Sequence, residues 1–430
     1  MKKIKYIIQS TLLLGVVSLT SCKKDFVNPN APTTDQVFSS ARGLVGVNIG
    51  NQRTFSLGGA SVVYGVVTTN AFTTNEVILM NQGNTAEFQF SRGGTAVDAT
   101  NTVLANIWTN SNKVIYDANS VIAAADGLSD KGYASGLIAH ASILKAMAIG
   151  SMSMLWEKVP ASIGKNVQFV DRSVGYANAI ATIDNALTKI NATPISASYI
   201  SDAVAGMDFV NTLHALKARY LLFSGKYPEA LAAANLVDLT KKSTFNYDAV
   251  NTNPIFTVAT ATNNVYQTID STLGLTAALA PSAGDGRIAF YTSINTTVAP
   301  RFRINGFYNA TTTGIPVYLP SEMTLIKAEA FTRAGNLSSA LTELNKVVTK
   351  TAAADPFKVG ANLAASTAAT SDDLLTEIYK NRCIELYMSG LKLEDMRRFG
   401  RANAERKRNF FPYPFKERDG NSNTPADPTF

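Results

Sequence analysis

Apolar residues recur at helical spacing through most of the chain, and polar residues fill the positions between them. The spacing predicts helices over Asn101–Gly127, Ala134–Trp156 and Val174–Ile190. Each of these stretches is long enough to bury one face against neighbouring helices. The dominant pattern therefore favours a mostly α-helical protein.

A further helix is predicted near the C-terminus. Ser371 is suited to cap its first turn, where the following aspartates complement the helix dipole. Gly390 is expected to break the helix, and a short helix is predicted from Lys392 to Arg401.

One charged residue falls on the apolar face of this C-terminal helix. Arg382 must have a partner if that face is buried, because an unpaired buried charge is costly. Glu385 and a later cluster that includes Asp395 and Arg397 offer partners. We interpret these four residues as structural ion pairs and not as a catalytic set, since no nucleophile accompanies them.

Two segments share a pattern of small residues around a turn glycine. Alanine stands seven residues before and five residues after the glycine in both, at Ala218, Gly225 and Ala230 and again at Ala328, Gly335 and Ala340. Small residues let antiparallel helices approach closely, and glycine ends the first helix. The pattern predicts helical hairpins of the tetratricopeptide kind. A generic helical hairpin stays open, because the copies are not in tandem.

Two stretches, at about 61–100 and 241–320, lose the helical period. Both are rich in Asn, Thr and Gly with interspersed aromatic residues. We predict a short helix at the start of the first stretch, then loop with a strand at Ala86–Phe90, and loops through the second. Irregular segments on a rigid scaffold often carry ligand recognition. Aromatic rings stack on sugars, and amides bond to hydroxyl or peptide groups. By position and type, the candidate ligand contacts are Asn70, Phe72, Asn75, Phe88, Tyr266, Tyr291 and Tyr308. The alternative is that such residues only form a small core of their own.

The N-terminus has the form of a bacterial lipoprotein signal. A basic start precedes an apolar run at Tyr6–Leu19 that is too short to span a membrane as a helix. Leu19-Thr20-Ser21-Cys22 then resembles a lipobox, which predicts lipidation of Cys22. We expect a signal peptide at 1–21, a polar tether at 22–35 and one domain over 36–430.

Composition narrows the function classes. Of the 430 residues, 46% are apolar and 17% are charged, which excludes long disordered charged tails. The net charge of +7 falls to +4 once Lys2, Lys3 and Lys5 leave with the signal peptide (7 − 3), too little to indicate nucleic-acid binding. The sequence lacks a G-x-S-x-G, H-E-x-x-H, Walker A or Rossmann motif, so we expect no enzyme activity, no metal and no cofactor. His140 and His214 are each expected to be packing residues.

Several of these features together resemble the SusD/RagB family of lipoproteins. The C-terminal signature is carried by Arg382, Glu385-Leu386, Gly390, Asp395, Arg397-Arg398, Phe399 and Pro412-Tyr413-Pro414. The resemblance implies a single-domain, SusD-like α-helical fold, with tetratricopeptide-type hairpins as scaffold and a loop-rich half that binds ligand. It also implies a lipid-anchored outer-membrane protein facing the cell exterior. Such a protein captures oligosaccharide for a partner SusC-like TonB-dependent transporter and cleaves nothing.

Three other functions stay open from the sequence. The first is an oligopeptide receptor on the same fold. The second is a tetratricopeptide scaffold that binds proteins, and the third is a lipid-anchored glycosidase whose carboxylates meet only in three dimensions.

Overall fold

The computed structural model describes residues 34–262, 264–297, 299 and 301–429. The predicted signal peptide at 1–21, the lipidation residue Cys22 and nearly all of the predicted tether at 22–35 lie outside the described residues.

Helices dominate the first half of the described chain. In order they are α1 (Thr34–Phe38), α2 (Ala41–Ser56), α3 (Val62–Thr73), α4 (Thr85–Arg92), α5 (Thr102–Ala125), α6 (Lys131–Leu155), α7 (Arg172–Ala192) and α8 (Ala197–Asp202). The helices predicted near residues 101–127, 134–156 and 174–190 are therefore confirmed, with small shifts at their ends. Helix α6 is the central one: it packs on α5 and on α7. It is long and apolar enough to cross a membrane, but 83% of its most apolar window is buried inside the protein, as in a core helix.

The two predicted helical hairpins are confirmed. The first joins α9 (Phe209–Phe223) to α10 (Tyr227–Asn235). The second joins α12 (Pro320–Arg333) to α13 (Leu337–Val348), and α10 packs against α12. The turn glycines Gly225 and Gly335 have φ angles of 70° and 78°. This left-handed conformation strains any residue with a Cβ, which explains why both turns use glycine.

The insertion between the hairpins holds short elements. They are β4 (Thr244–Phe245), a π-helical turn (Ile255–Thr260), β5 (Tyr266–Thr268), α11 (Gly286–Tyr291), β6 (Thr292–Ile294), β7 (Phe302–Ile304) and β8 (Ile315–Pro316). Strand β6 pairs antiparallel with β7, and β4 pairs antiparallel with β8. Strand β5 pairs antiparallel with β1 (Val77–Leu79), which lies in the other irregular stretch. The two loop-rich stretches of the sequence thus form one region, which we call the loop half, and the helices outside it form the helical scaffold.

The remaining strand pair and the C-terminal elements complete the scaffold. Strand β2 (Lys158–Pro160) pairs antiparallel with β3 (Phe169–Asp171) between α6 and α7. The C-terminal helices are α14 (Ser371–Glu385), α15 (Lys392–Arg398) and α16 (Phe415–Gly420). Thr370, one residue before the predicted cap, caps α14 by accepting a hydrogen bond from the backbone N of Asp373 at 3.1 Å.

The helix predicted at the start of 61–100 is confirmed as α3, but the loop and the strand at Ala86–Phe90 that were predicted after it are wrong where Thr85–Arg92 form helix α4. Alternating apolar residues at 86, 88 and 90 fit a strand, but Ala86 and Phe90 also stand one helical turn apart. Both are buried on the same face of α4, together with Glu87. Short apolar runs leave this ambiguity unless their neighbours decide it.

Candidate functional site

A surface groove of about 450 Å³ lies on the outside of the loop half. The π-helical turn forms one wall, and the hairpin of β6 and β7 forms the other. Its polar and aromatic lining consists of Phe256, Thr260, Gln267, Ser293, Asn295, Arg303, Asn305 and Asn309. This volume lies within the usual range for small-molecule sites.

Gln267 ties the two walls of the groove together. Its side chain is buried, with Oε1 accepting from the backbone N of Ile304 at 3.0 Å and Nε2 donating to the carbonyl of Thr260 at 3.2 Å. One amide thus links the π-helical turn to strand β7. The floor of the groove is fixed before any ligand arrives.

Asn253 sets the position of the aromatic wall. Its Oδ1 accepts from the backbone N atoms of Ile255 and Phe256 at 3.0 and 3.1 Å. Its Nδ2 donates to the carbonyls of Phe307 and Thr313 at 2.9 and 2.8 Å. This fully buried amide therefore holds the start of the π-helical turn in place and presents the partly exposed ring of Phe256 at the groove.

The chemistry of the groove suits a neutral, hydroxyl-rich ligand. An aromatic ring offers an apolar face, and asparagine amides offer donors and acceptors. Within the part of the chain that the structure describes, Arg303 is the one charged residue that lines the groove. Among the described residues, those that line the groove include no carboxylate, the group that glycoside hydrolysis uses in pairs.

The predicted ligand contacts Tyr291 and Tyr308 are core residues. Each hydroxyl donates to a backbone carbonyl, that of Glu385 for Tyr291 and that of Met388, at 2.8 Å, for Tyr308. Both rings border an internal cavity of about 90 Å³, too small for a typical ligand. Burial raises the pKa of both phenols well above the usual value. Their assignment as ligand contacts is therefore corrected.

Tyr266, Phe72 and Asn70 require the same correction. Tyr266 is fully buried, shares a 3.0 Å hydrogen bond with the Thr68 hydroxyl, and meets the ring of Phe72 edge-on at 5.4 Å. Asn70 accepts from the backbone N of Leu393 at 3.1 Å. Tyr266 and Phe72 pack together inside the loop half, and Asn70 joins the loop half to the scaffold, so all three are inaccessible to a ligand.

Asn75 and Phe88 are both partly exposed, but neither lines the groove. Asn75 adopts a left-handed φ of 63° and donates to the carbonyl of Glu405 at 3.2 Å. Asn tolerates this conformation better than most residues, which gives it a structural role. Ligand contact by Asn75 and Phe88 stays a prediction.

The four residues interpreted as structural ion pairs belong to three sets of contacts among the described residues. Arg382 forms a bidentate pair with Asp395 at 2.9 and 3.0 Å, and Asp395 also accepts from Arg398 at 2.7 Å. Arg397 pairs with Glu394 at 2.8 Å. Burial on its own raises the pKa of Asp395, but the guanidinium groups of Arg382 and Arg398 outweigh it and hold that pKa below its usual value.

Glu385 pairs with residues outside its own helix. Its carboxylate lies 3.3 Å from Arg287 and 2.9 Å from Lys350. Asp285, two residues before Arg287, pairs with the same guanidinium at 2.7 Å. This cluster links the loop half to α14, so Glu385 is a structural partner of Arg287 and not of the neighbouring Arg382.

His140 and Cys383, two residue types that are common in catalysis, are used here for packing. His140 is buried between Tyr199 and Gln52, at 3.1 and 2.8 Å, and burial lowers its pKa to about 4. Burial also raises the pKa of the Cys383 thiol to about 12. Within the described residues, no group of three or more His, Cys, Asp or Glu side chains is placed to hold a metal ion.

Stacked helical hairpins that carry an irregular, groove-bearing half define a mostly α-helical protein of the tetratricopeptide-like class. The sequence model described as the SusD family matches residues 188–428, more than half of the chain. The protein belongs to the SusD family. No curated protein sequence matches it.

Solved structures with the same fold cover nearly the whole chain. A SusD-like protein from Bacteroides fragilis NCTC 9343 matches with a TM-score of 0.71 at 13% identity, over 93% of this chain and 100% of that one. A SusD-like carbohydrate binding protein from Bacteroides vulgatus ATCC 8482 gives 0.66 at 15%, over 84% and 83%. A laminarin binding SusD-like protein gives 0.67 at 15%, over 91% and 99%. At these identities the likeness establishes the fold alone.

Proposed function

We propose that this protein is a cell-surface receptor that binds an oligosaccharide in the groove of its loop half. The groove itself carries the proposal: a fixed, carboxylate-free site of about 450 Å³ that combines the ring of Phe256 with asparagine amides. Membership of the SusD family supports it, as do relatives that are described as carbohydrate binding and laminarin binding. In this proposal the protein retains its ligand without cleaving it.

A glycan and peptide array probed with the chain that follows Cys22 tests the ligand class. We expect glycan hits, with laminarin as the first to measure by affinity electrophoresis. Hits confined to peptides would replace the oligosaccharide with an oligopeptide on the same fold. Release of reducing sugar from a bound glycan would establish a glycosidase instead.

Phe256→Ala tests the position of the site. Loss of one stacking ring should weaken glycan binding about two- to tenfold, since an aromatic contact contributes about 0.5–1.5 kcal/mol. Phe415→Ala is the matched control, because Phe415 is also an exposed ring, at 61%, and lies in α16 away from the groove. Equal retention of both variants on the gel would remove the groove as the binding site.

We further propose that Cys22 is lipidated, that the domain spans 36–430, and that the receptor delivers its ligand to a SusC-like TonB-dependent transporter in the outer membrane. Several acyl chains would anchor the protein durably, because each buried CH₂ contributes about 0.8 kcal/mol. Cys22→Ser should release the protein from membranes. Protease treatment of intact cells should degrade the anchored form, and a pull-down should recover a large outer-membrane protein. A protease-protected, periplasmic chain would favour the protein-binding scaffold.

A further inference from the structure

A second groove, of about 480 Å³, lies on the helical scaffold, among helices α5, α6 and α7. The segment that follows strand β2 closes one side of it, at residues 160–163. It shares no lining residue with the groove in the loop half. We call it the scaffold groove.

Of the described residues that line the scaffold groove, Lys145 is the one that carries a charge. Its side chain is half-buried, and no carboxylate lies within ion-pair distance of its ammonium among the described residues. Lys350, by contrast, pairs with Asp355 and Glu385, although the buried ammonium of Lys392 also lacks a hydrogen-bond partner. Burial lowers the pKa of Lys145, because desolvation disfavours the charged form of an ammonium that has no ion-pair partner.

Asparagine amides that share the groove with Lys145 are also available to a ligand. Asn119, Asn178 and Asn185 line the groove, and their side chains form no hydrogen bond with the described part of the protein. Asn112 donates its Nδ2 to the carbonyl of Trp108, which leaves its Oδ1 available. Amides of this kind supply donor and acceptor together, the combination that vicinal hydroxyls require.

The remaining walls are aliphatic. Ile115, Ile149 and Met152 contribute apolar surface beside the amides. One cation, several amides and an aliphatic face together match a compact ligand with one negative charge, many hydroxyls and a C–H face. The volume is in the range of sites for small molecules.

We propose that the scaffold groove binds a uronic acid unit of an acidic saccharide, with Lys145 as the counter-ion of its carboxylate. The site is independent of the receptor function proposed above. It would add a second contact, selective for acidic sugars, on the helical scaffold and apart from the groove in the loop half. Loss of either site leaves the lining of the other intact.

Calorimetric titration of the chain that follows Cys22 with digalacturonate, and with its neutral dimethyl ester, tests the charge requirement without any mutation. The acid should bind, and the ester should bind at least tenfold more weakly, since a hydrogen bond to a charged group is among the stronger ones. Equal binding of acid and ester, or no binding of the acid at millimolar concentration, would overturn the proposal.

Two variants then locate the site. Lys145→Met keeps the length of the side chain but removes the charge, and it should weaken digalacturonate binding at least tenfold without lowering the melting temperature. Asn178→Asp keeps the shape of the amide, adds a negative charge to the groove, and should weaken binding as well. Lys226→Met, at an exposed lysine in the turn before α10, is the control and should bind like the unchanged protein.

Laminarin binding separates this proposal from the previous one. Lys145→Met should retain laminarin as the unchanged protein does, and Phe256→Ala should still bind digalacturonate. Full digalacturonate affinity in Lys145→Met would overturn the scaffold groove as the acidic site, whatever the outcome with laminarin. A dipeptide that binds more tightly than digalacturonate would do the same.

Discussion

The helical scaffold and the loop half bury polar groups in different ways. The scaffold buries charges and neutralises them in pairs, as at Arg219 and Glu322. The loop half buries mainly tyrosines and bonds several of their hydroxyls to neutral groups, as the carbonyl of Met388 does for Tyr308. It has fewer buried charges, chiefly Arg287 with Asp285 and the carboxylate of Glu87, which accepts from Tyr64. Buried charges demand good partner geometry, whereas a phenol needs only one acceptor.

This difference bears on how a binding region should be recognised. The loop half is rich in aromatic residues, but most of its tyrosines are buried in its own core or against the scaffold. Its accessible chemistry lies with Phe256 and with asparagines at the surface. Aromatic content therefore marks a region that packs without regular helices, and exposure decides which of its residues can meet a ligand.

The largest expected effect comes from removing half of a buried charge pair in the scaffold. Arg219 of α9 forms a bidentate pair with Glu322 of α12, both contacts at 2.6 Å, and so joins the two hairpins. Arg219→Met leaves the carboxylate of Glu322 buried and unpaired, which should lower the free energy of unfolding by about 3–5 kcal/mol. Urea denaturation followed by circular dichroism measures the change.

The double variant Arg219→Met/Glu322→Leu separates the effect of the unpaired charge from the effect of lost packing. It removes both charges, so most of the lost stability should return. Lys346→Met breaks only an exposed pair with Glu343 and should change stability by less than about 1 kcal/mol. A double variant as unstable as the single one would show that packing, and not charge, dominates at this joint.

The second effect is a loss of stability at acid pH, and the group responsible, His140, lies in helix α6 of the scaffold. His140 is neutral when folded because its pKa of about 4 lies below the unfolded value of about 6.5. Its contribution to stability is therefore fully present above about pH 6.5 and is lost as the pH falls towards 4. The difference amounts to about 3 kcal/mol. The buried tyrosines stay protonated throughout this range, since burial raises their pKa.

His140→Gln removes the titrating group and keeps hydrogen-bonding capacity beside Gln52 and Tyr199. Unfolding free energies measured from pH 7 to pH 4 should fall less steeply in this variant than in the unchanged protein. Identical slopes would assign the acid sensitivity to other groups. Below about pH 4, both proteins should lose stability as Glu394 and Asp395 protonate, because their charged partners hold both pKa values below the usual range.

Much of the scaffold is predictable from the sequence, because helix periodicity and turn chemistry are local signals. The apolar spacing located α6, and the paired glycines located the hairpin turns at Gly225 and Gly335. The position of Arg382 on an apolar face required a buried partner. The partners of Glu385 were not predictable, since Arg287 lies 98 residues away and meets it only through the fold.

The loop half gave no comparable signal. Residues 241–320 follow no period, so nothing in the sequence distinguished the buried ring of Tyr266 from the partly exposed ring of Phe256. One clue was present: Asn253 precedes a proline, a pair that favours the start of a turn, and its side chain organises the wall of the groove. The groove itself forms from segments that meet only when β6, β7 and the π-helical turn are assembled.

The smallest effect tests the separation of core and surface aromatics within the loop half. Tyr308→Phe removes only the hydroxyl that donates to Met388, and it should lower the free energy of unfolding by about 1 kcal/mol. Glycan affinity should stay unchanged, because Tyr308 is buried and does not line the groove. Phe256→Ala should give the reverse result, with weaker binding and little change in stability. A Tyr308→Phe variant of normal stability but reduced glycan retention would place this ring at the ligand, and the proposed division between buried tyrosines and surface contacts would fail.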